Sequence, residues 1–129
     1  MTPELTVLAL AGLLQGVQFA LYSVAANLQV GPKTAMSPRD SKIELSGGAG
    51  RLQRALNNHF EGLILFTLAV VLITLADKGT GLSAACAWGY LIARILYVPA
   101  YYFGLAPWRS LIWMVGFLAT MLMIVSALI

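Results

Sequence analysis

The sequence predicts an all-α membrane protein: a bundle of four transmembrane helices in one domain spanning residues 1–129. Two observations point there. The first is composition: 60% of the residues are hydrophobic and only 10% are charged, with a mean hydropathy of +0.83. Soluble domains are about a quarter charged, and a soluble fold of this length could not hide so much apolar surface, so most of it must face lipid or other membrane helices. The second is patterning. The apolar residues fall into four runs, each close to the roughly 20 residues that a span requires.

The first run extends from about Leu5 to Leu28. Its start, MTPE, lacks the basic region of a signal peptide, and the run is too long for one. The segment QVGPKTAMSPRDSKIELSGGAG that follows is polar and rich in Gly, Pro and Ser, which marks a loop. The second run covers about Leu52 to Ala76 and ends at the turn DKGTG. The third covers about Leu82 to Phe103, with Pro99 expected to kink it. After the turn GLAP, the fourth runs from about Trp108 to Leu128, with Pro107 placed to open the helix.

The net charge of +3 does not suggest a nucleic-acid partner; it bears on topology. Lys and Arg in short loops mark the cytoplasmic side. Lys33, Arg39 and Lys42 lie in the first loop, with Arg51 and Arg54 at its edge. The second loop has only Lys78, beside Asp77, and the third junction has Arg109. Loops one and three are therefore expected in the cytoplasm and both termini on the opposite side. The single cysteine, Cys86, lies in an apolar run without metal-site spacing and is expected as a small core residue.

The stretch RLQRALNNHFEG at the head of the second span is unusually polar. Arg54, Asn58 and Glu61 are spaced i, i+4, i+7 and share one helical face, with Arg51 a turn earlier. On the third span Arg94, Tyr97 and Tyr101 again share a face. Glu61 and Arg94 each lie about ten residues, roughly 15 Å, from the cytoplasmic end. A lone charge at that depth costs from about 2.5 kcal/mol upward, so an ion pair between Glu61 and Arg94 inside the bundle is expected. Asn58, the arginines and the phenols suit a small polar anion with carboxylates and amides. His59 and Asn57 point off this stripe, toward an interface or the surface. Gln15, Gln18 and Tyr22 form a weak polar stripe on helix one, consistent with interhelical hydrogen bonding. Trp88, Trp108 and Trp113 read as membrane-interface or packing residues.

These residues also carry a resemblance. RLQRALNNHFE fits Arg-x-x-Arg-Ala-x-x-Asn-x-x-Glu, YLIARILYVPAY fits Arg-x-x-Tyr-x-x-x-Tyr, and APWRS is similar to a Pro-x-Arg-Ser helix start. With four spans in this length, the chain resembles the MAPEG family, membrane-associated proteins in eicosanoid and glutathione metabolism. The resemblance implies a four-helix bundle assembling as a homotrimer, with glutathione as cosubstrate at the subunit interface near the cytoplasm. It assigns Arg51, Arg54, Asn58, Glu61, Arg94, Tyr97 and Tyr101 to the glutathione site, with Arg94 the buried partner of Glu61. It places Arg109 and Ser110 beside the sulfur. Arginines hold carboxylates through paired charged hydrogen bonds, and a nearby cation favours the thiolate, which would attack a lipophilic electrophile arriving from the bilayer.

Three departures stand out. The turn YFGLAP lacks the thiol-activating arginine of leukotriene synthase-like members. Asn57 and Gly31 stand where prostaglandin synthase-like members carry basic residues. The leading expectation is a glutathione-dependent transferase or peroxidase; the alternative is a non-enzymatic lipid or small-molecule binder of the same fold. A proton-coupled exporter is disfavoured because Arg94 would hold Glu61 ionised. The short loops suggest a bacterial inner membrane.

Overall fold

The computed structural model describes residues 1–31 and 45–129. Lys33, Arg39 and Lys42, on which part of the orientation rests, lie outside the described residues. Among the described residues there are four helices, α1 (Pro3–Val30), α2 (Gly47–Ala76), α3 (Gly81–Tyr102) and α4 (Trp108–Leu128). All four are long and apolar enough to cross a membrane.

Each boundary has a local cause. Thr2 caps α1, its hydroxyl accepting from the Leu5 amide at 3.2 Å, and Pro3 occupies the first helical turn, where a missing N–H costs nothing. The helix closes at Gly31, whose φ of 87° suits glycine. Helix α2 starts five residues before the expected Leu52, because the glycine-rich GGAG is helical rather than loop. Small residues are required there: a Cβ on Gly48 would lie 2.9 Å from the Tyr102 ring, and one on Gly50 2.7 Å from the Leu45 carbonyl oxygen. Packing against α3 thus overrides the poor helix propensity of glycine. At its other end Asp77 adopts a left-handed conformation, φ 55°. Thr80 and Ser83 then form a reciprocal capping box at the start of α3, at 2.8 and 3.1 Å. Helix α3 continues through Pro99 to Tyr102, and Pro107 caps α4.

Helices α2 and α3 each touch all three others, whereas α1 and α4 do not touch. The core lies along this inner diagonal, built from Phe66, Ala69, Val70 and Ile73 of α2 with Cys86, Ala87, Tyr90 and Leu91 of α3. Cys86 is a buried core residue, as expected. Phe66 and Tyr90 stack with centroids 4.0 Å apart and planes 3° from parallel. Val7 and Ala11 of α1 and Met123 of α4 close the cluster. The small side chains bring helix backbones close, which is how helices gain packing energy where lipid offers no hydrophobic drive. Leu13, Val17, Phe19 and Val24 of α1 and Leu111, Val115, Leu118 and Leu122 of α4 remain exposed, as lipid-facing surface should.

Polar side chains pin the helices at three levels. At one end Glu4, only 3% exposed, accepts from the Ser83 hydroxyl at 2.5 Å. Midway, the Gln18 amide meets Nδ1 of the buried His59 at 2.6 Å, so His59 is an α1–α2 interface residue and the polar stripe on α1 makes an interhelical bond. At the other end Gln29 donates to the Ser46 carbonyl and accepts from its amide, both at 2.9 Å.

Ser83→Ala removes both the capping hydroxyl and the donor to a buried carboxylate. It is expected to destabilise the protein by about 1–3 kcal/mol, read as a lowered unfolding midpoint in detergent. An unchanged midpoint would show that the Glu4–Ser83 contact does not hold α1 to α3.

Candidate functional site

The polar residues gather where the start of α2, the end of α3 and the start of α4 meet. Tyr101 is the hub. Its hydroxyl accepts from Arg54 Nε at 3.1 Å, and the Arg54 and Arg109 Cζ atoms lie 5.9 and 4.9 Å from its ring centroid. Two guanidiniums are thus held on one phenol by cation–π attraction. Tyr97 packs beside it, centroids 5.6 Å apart. Beneath Tyr97 lies Arg94, its Cζ 4.7 Å from that ring and its Nη1 donating to Asn58 Oδ1 at 2.9 Å.

These side chains border a cavity of about 270 Å³ lined by Asn58, Tyr97, Tyr101, Arg109, Ser110 and Trp113. Its walls offer a guanidinium, an amide, two phenols and a hydroxyl. A deeper cavity of about 180 Å³ adjoins it, sharing Asn58 and Trp113 and lined also by Glu61, Tyr90 and Arg94.

Most residues singled out by spacing or by the resemblance therefore converge. Asn58, Tyr97, Tyr101, Arg109 and Ser110 line one cavity, Arg54 joins through Tyr101, and Glu61 and Arg94 line the neighbouring one. Three residues, Glu61, Arg94 and Arg51, are used differently from expectation. The Glu61–Arg94 ion pair is not formed among the described residues. Arg94 bonds Asn58, one turn from Glu61, while Glu61 stands exposed on the flank of α2. Depth matching locates a charge to about one turn, and within that tolerance the amide is the partner the guanidinium reaches. Arg51 donates Nη1 to the Tyr102 carbonyl at 3.0 Å. It lies beside Gly104, φ 66°, where a Cβ would come 3.8 Å from its guanidinium carbon. It thereby satisfies an end carbonyl of α3 and steadies the turn leading to Arg109.

Among the lining residues that escaped the sequence reading are Trp113 and Tyr90. Trp113 stands four residues after Arg109, and Tyr90 four before Arg94. Each therefore shares a helical face with a recognised cation, and extending the two stripes by one turn would have found both.

A family model described as the MAPEG family matches residues 5–129, essentially the whole chain. No curated protein sequence and no solved structure matches it. The quoted motifs of α2 and α3 supply the residues that meet in the cavity, and the family match spans all four helices; the chain belongs to the MAPEG family.

Proposed function

We propose that this protein is a glutathione-dependent membrane transferase or peroxidase acting on hydrophobic electrophiles. One observation carries the reading: the polar cavity of Tyr97, Tyr101, Arg109 and Ser110 in a chain whose family includes glutathione transferases and peroxidases. The donor set fits the tripeptide. Arg54 uses Nε on Tyr101, and its terminal nitrogens, which bond no described residue, are placed to pair with a carboxylate. Arg51 keeps donors beyond the one given to Tyr102. Exposed Glu61 can accept from an ammonium, and Asn58 presents an amide.

Glutathione supplies a thiol to such a site. Arg109, partly buried against Tyr101, places positive charge on the cavity wall, and Ser110 offers a hydroxyl beside it. Together they would hold the sulfur as a thiolate at neutral pH. The adjoining cavity and the exposed apolar helix faces give a lipophilic substrate a route from the bilayer. By the Lys and Arg distribution, the polar cavity opens to the cytoplasm with both termini on the far side. We further propose a homotrimer in which α1 of the next subunit covers the exposed flank of α2.

A second reading, non-enzymatic binding of a lipid or small molecule, is favoured by one specific observation: the turn YFGLAP lacks the arginine that activates the thiol in part of the family. The two readings differ in what Arg109 does.

Arg54→Ala is expected to weaken glutathione binding to the detergent-purified protein by about 10- to 100-fold, the loss of a charged hydrogen-bonding partner. Calorimetry measures it, and unaltered affinity would move glutathione out of this cavity. Arg109→Ala is expected to lower turnover at neutral pH by about 100-fold or more, with partial recovery as pH rises, because the unassisted thiol must ionise at its own higher pKa. The ultraviolet absorbance of bound thiolate should fall in parallel. Saturable glutathione binding without turnover or thiolate signal in the parent protein would favour the non-enzymatic reading.

A further inference from the structure

We propose that the deeper cavity between α2 and α4 is a second ligand site, for a small neutral molecule with one carbonyl group on a compact apolar body. Its oxygen would accept from the Tyr90 hydroxyl and the Arg94 guanidinium. The site borders the glutathione cavity and shares Asn58 and Trp113 with it; it rests on the reading above, in which this cavity admits the lipophilic substrate, and is tested with no glutathione present so that the two can fail separately.

The polar end is built and unsatisfied. Tyr90 is 2% exposed and Arg94 4%, yet Tyr90 Oη and Arg94 Nε have no hydrogen-bond partner among the described residues. Buried donors ordinarily find acceptors, and here both side chains line the cavity. Their polar ends come together beside Gly62: a Cβ there would lie 3.6 Å from Tyr90 Oη and 3.8 Å from Arg94 Nη1, the nitrogen that gives only one of its two hydrogens to Asn58. Stacking on Phe66 fixes the Tyr90 ring, so the hydroxyl is preorganised. A single oxygen beside Gly62 can meet both groups.

Charge selects the head group. Glu61 lines the same cavity as Arg94, and Asn58 already takes one guanidinium nitrogen. A carboxylate would gain Arg94 but meet Glu61, whereas a neutral carbonyl gains the donors without the repulsion. Shape selects the body. The other end is Leu65 with Trp113 and Phe117, whose rings stack 5.1 Å apart and 10° from parallel. The Thr120 hydroxyl there is engaged on the Gly116 carbonyl at 2.9 Å. An apolar cavity of about 150 Å³ accepts benzene, so the roughly 180 Å³ here accommodates the carbonyl and part of a compact apolar body, the remainder of a phenyl-bearing ketone extending into the adjoining cavity of about 270 Å³.

The test uses the full-length protein in detergent without glutathione, titrated with 4-phenylbutan-2-one. Butylbenzene, which lacks the acceptor, and 4-phenylbutanoate, which carries a charge, serve as comparators. The ketone is expected to saturate one site per chain and to bind more tightly than either comparator. Tyr90→Phe keeps the stacked ring and is expected to weaken the ketone about 5- to 10-fold, one hydrogen bond's worth, with butylbenzene unchanged. Comparing each ligand between parent and variant cancels its partition into detergent. Gly62→Leu, which fills the space beside both donors, should reduce ketone binding even where Tyr90→Phe alters folding. Ketone binding that is absent, equal to that of butylbenzene, or insensitive to both variants overturns the site. Tighter binding of 4-phenylbutanoate overturns the neutral head group. Arg54→Ala, which tests the glutathione cavity, should leave ketone affinity intact.

Discussion

Arg94 sits well inside α3, 4% exposed, with Asn58 Oδ1 2.9 Å from one nitrogen and the Tyr97 ring 4.7 Å from its Cζ. A guanidinium so buried is largely withdrawn from solvent, and hydrocarbon makes an isolated charge costly. The protein meets that constraint from two sides, with an amide from α2 and an aromatic face from α3 itself. The consequence reaches beyond one contact. Helices α2 and α3 form the inner diagonal of the bundle, and the charge lies where they meet. The residues that make Arg94 tolerable are therefore the residues that shape the two cavities.

The same logic sets the register of the other helices. Between spans there is no hydrophobic force to distinguish protein from lipid, so close backbone approach and polar bonds choose which faces meet. Ala11, Ala69 and Ala87 are fully buried and allow the approach. Glu4–Ser83, Gln18–His59 and Gln29–Ser46 fix α1 against α3 and α2 at three heights. The polar cavity then forms where register is constrained most heavily, at the end where Arg51 ties α2 to the α3 terminus and Gln29 ties α1 to the start of α2.

The four spans were legible because a bilayer requires long apolar runs, and runs survive reading without any partner information. Their ends were less so. The helix begins at Gly47 rather than Leu52 because Gly48 and Gly50 pack against Tyr102 and Leu45, contacts that propensity cannot see. The cavity residues were legible as stripes, since Arg54, Asn58 and Glu61 share a face by count alone. Which residue Arg94 would bond was not. Asn58 and Glu61 differ by about 4.5 Å along the axis, less than the reach of an arginine side chain, so depth alone cannot decide between them. Arg51 illustrates a different limit: a cation near a helix end competes between ligand and backbone, and only the position of the Tyr102 carbonyl decides it.

Glu61 bears on assembly. It stands halfway along α2, exposed, without the ion pair its depth seemed to demand. A carboxylate on the outer face of a span cannot be left to lipid, and Arg54 is exposed on the same stripe of α2. Within one chain α1 and α4 do not touch, and Glu61, although it borders the cavity between α2 and α4, is left exposed. The proposed trimer supplies what is missing, because a neighbouring α1 laid along this side would shield the carboxylate and narrow the open edge of the cavity. Under the proposed assembly α2 would keep its charged stripe inside a membrane, and the polar cavity of one chain would be completed by its neighbour.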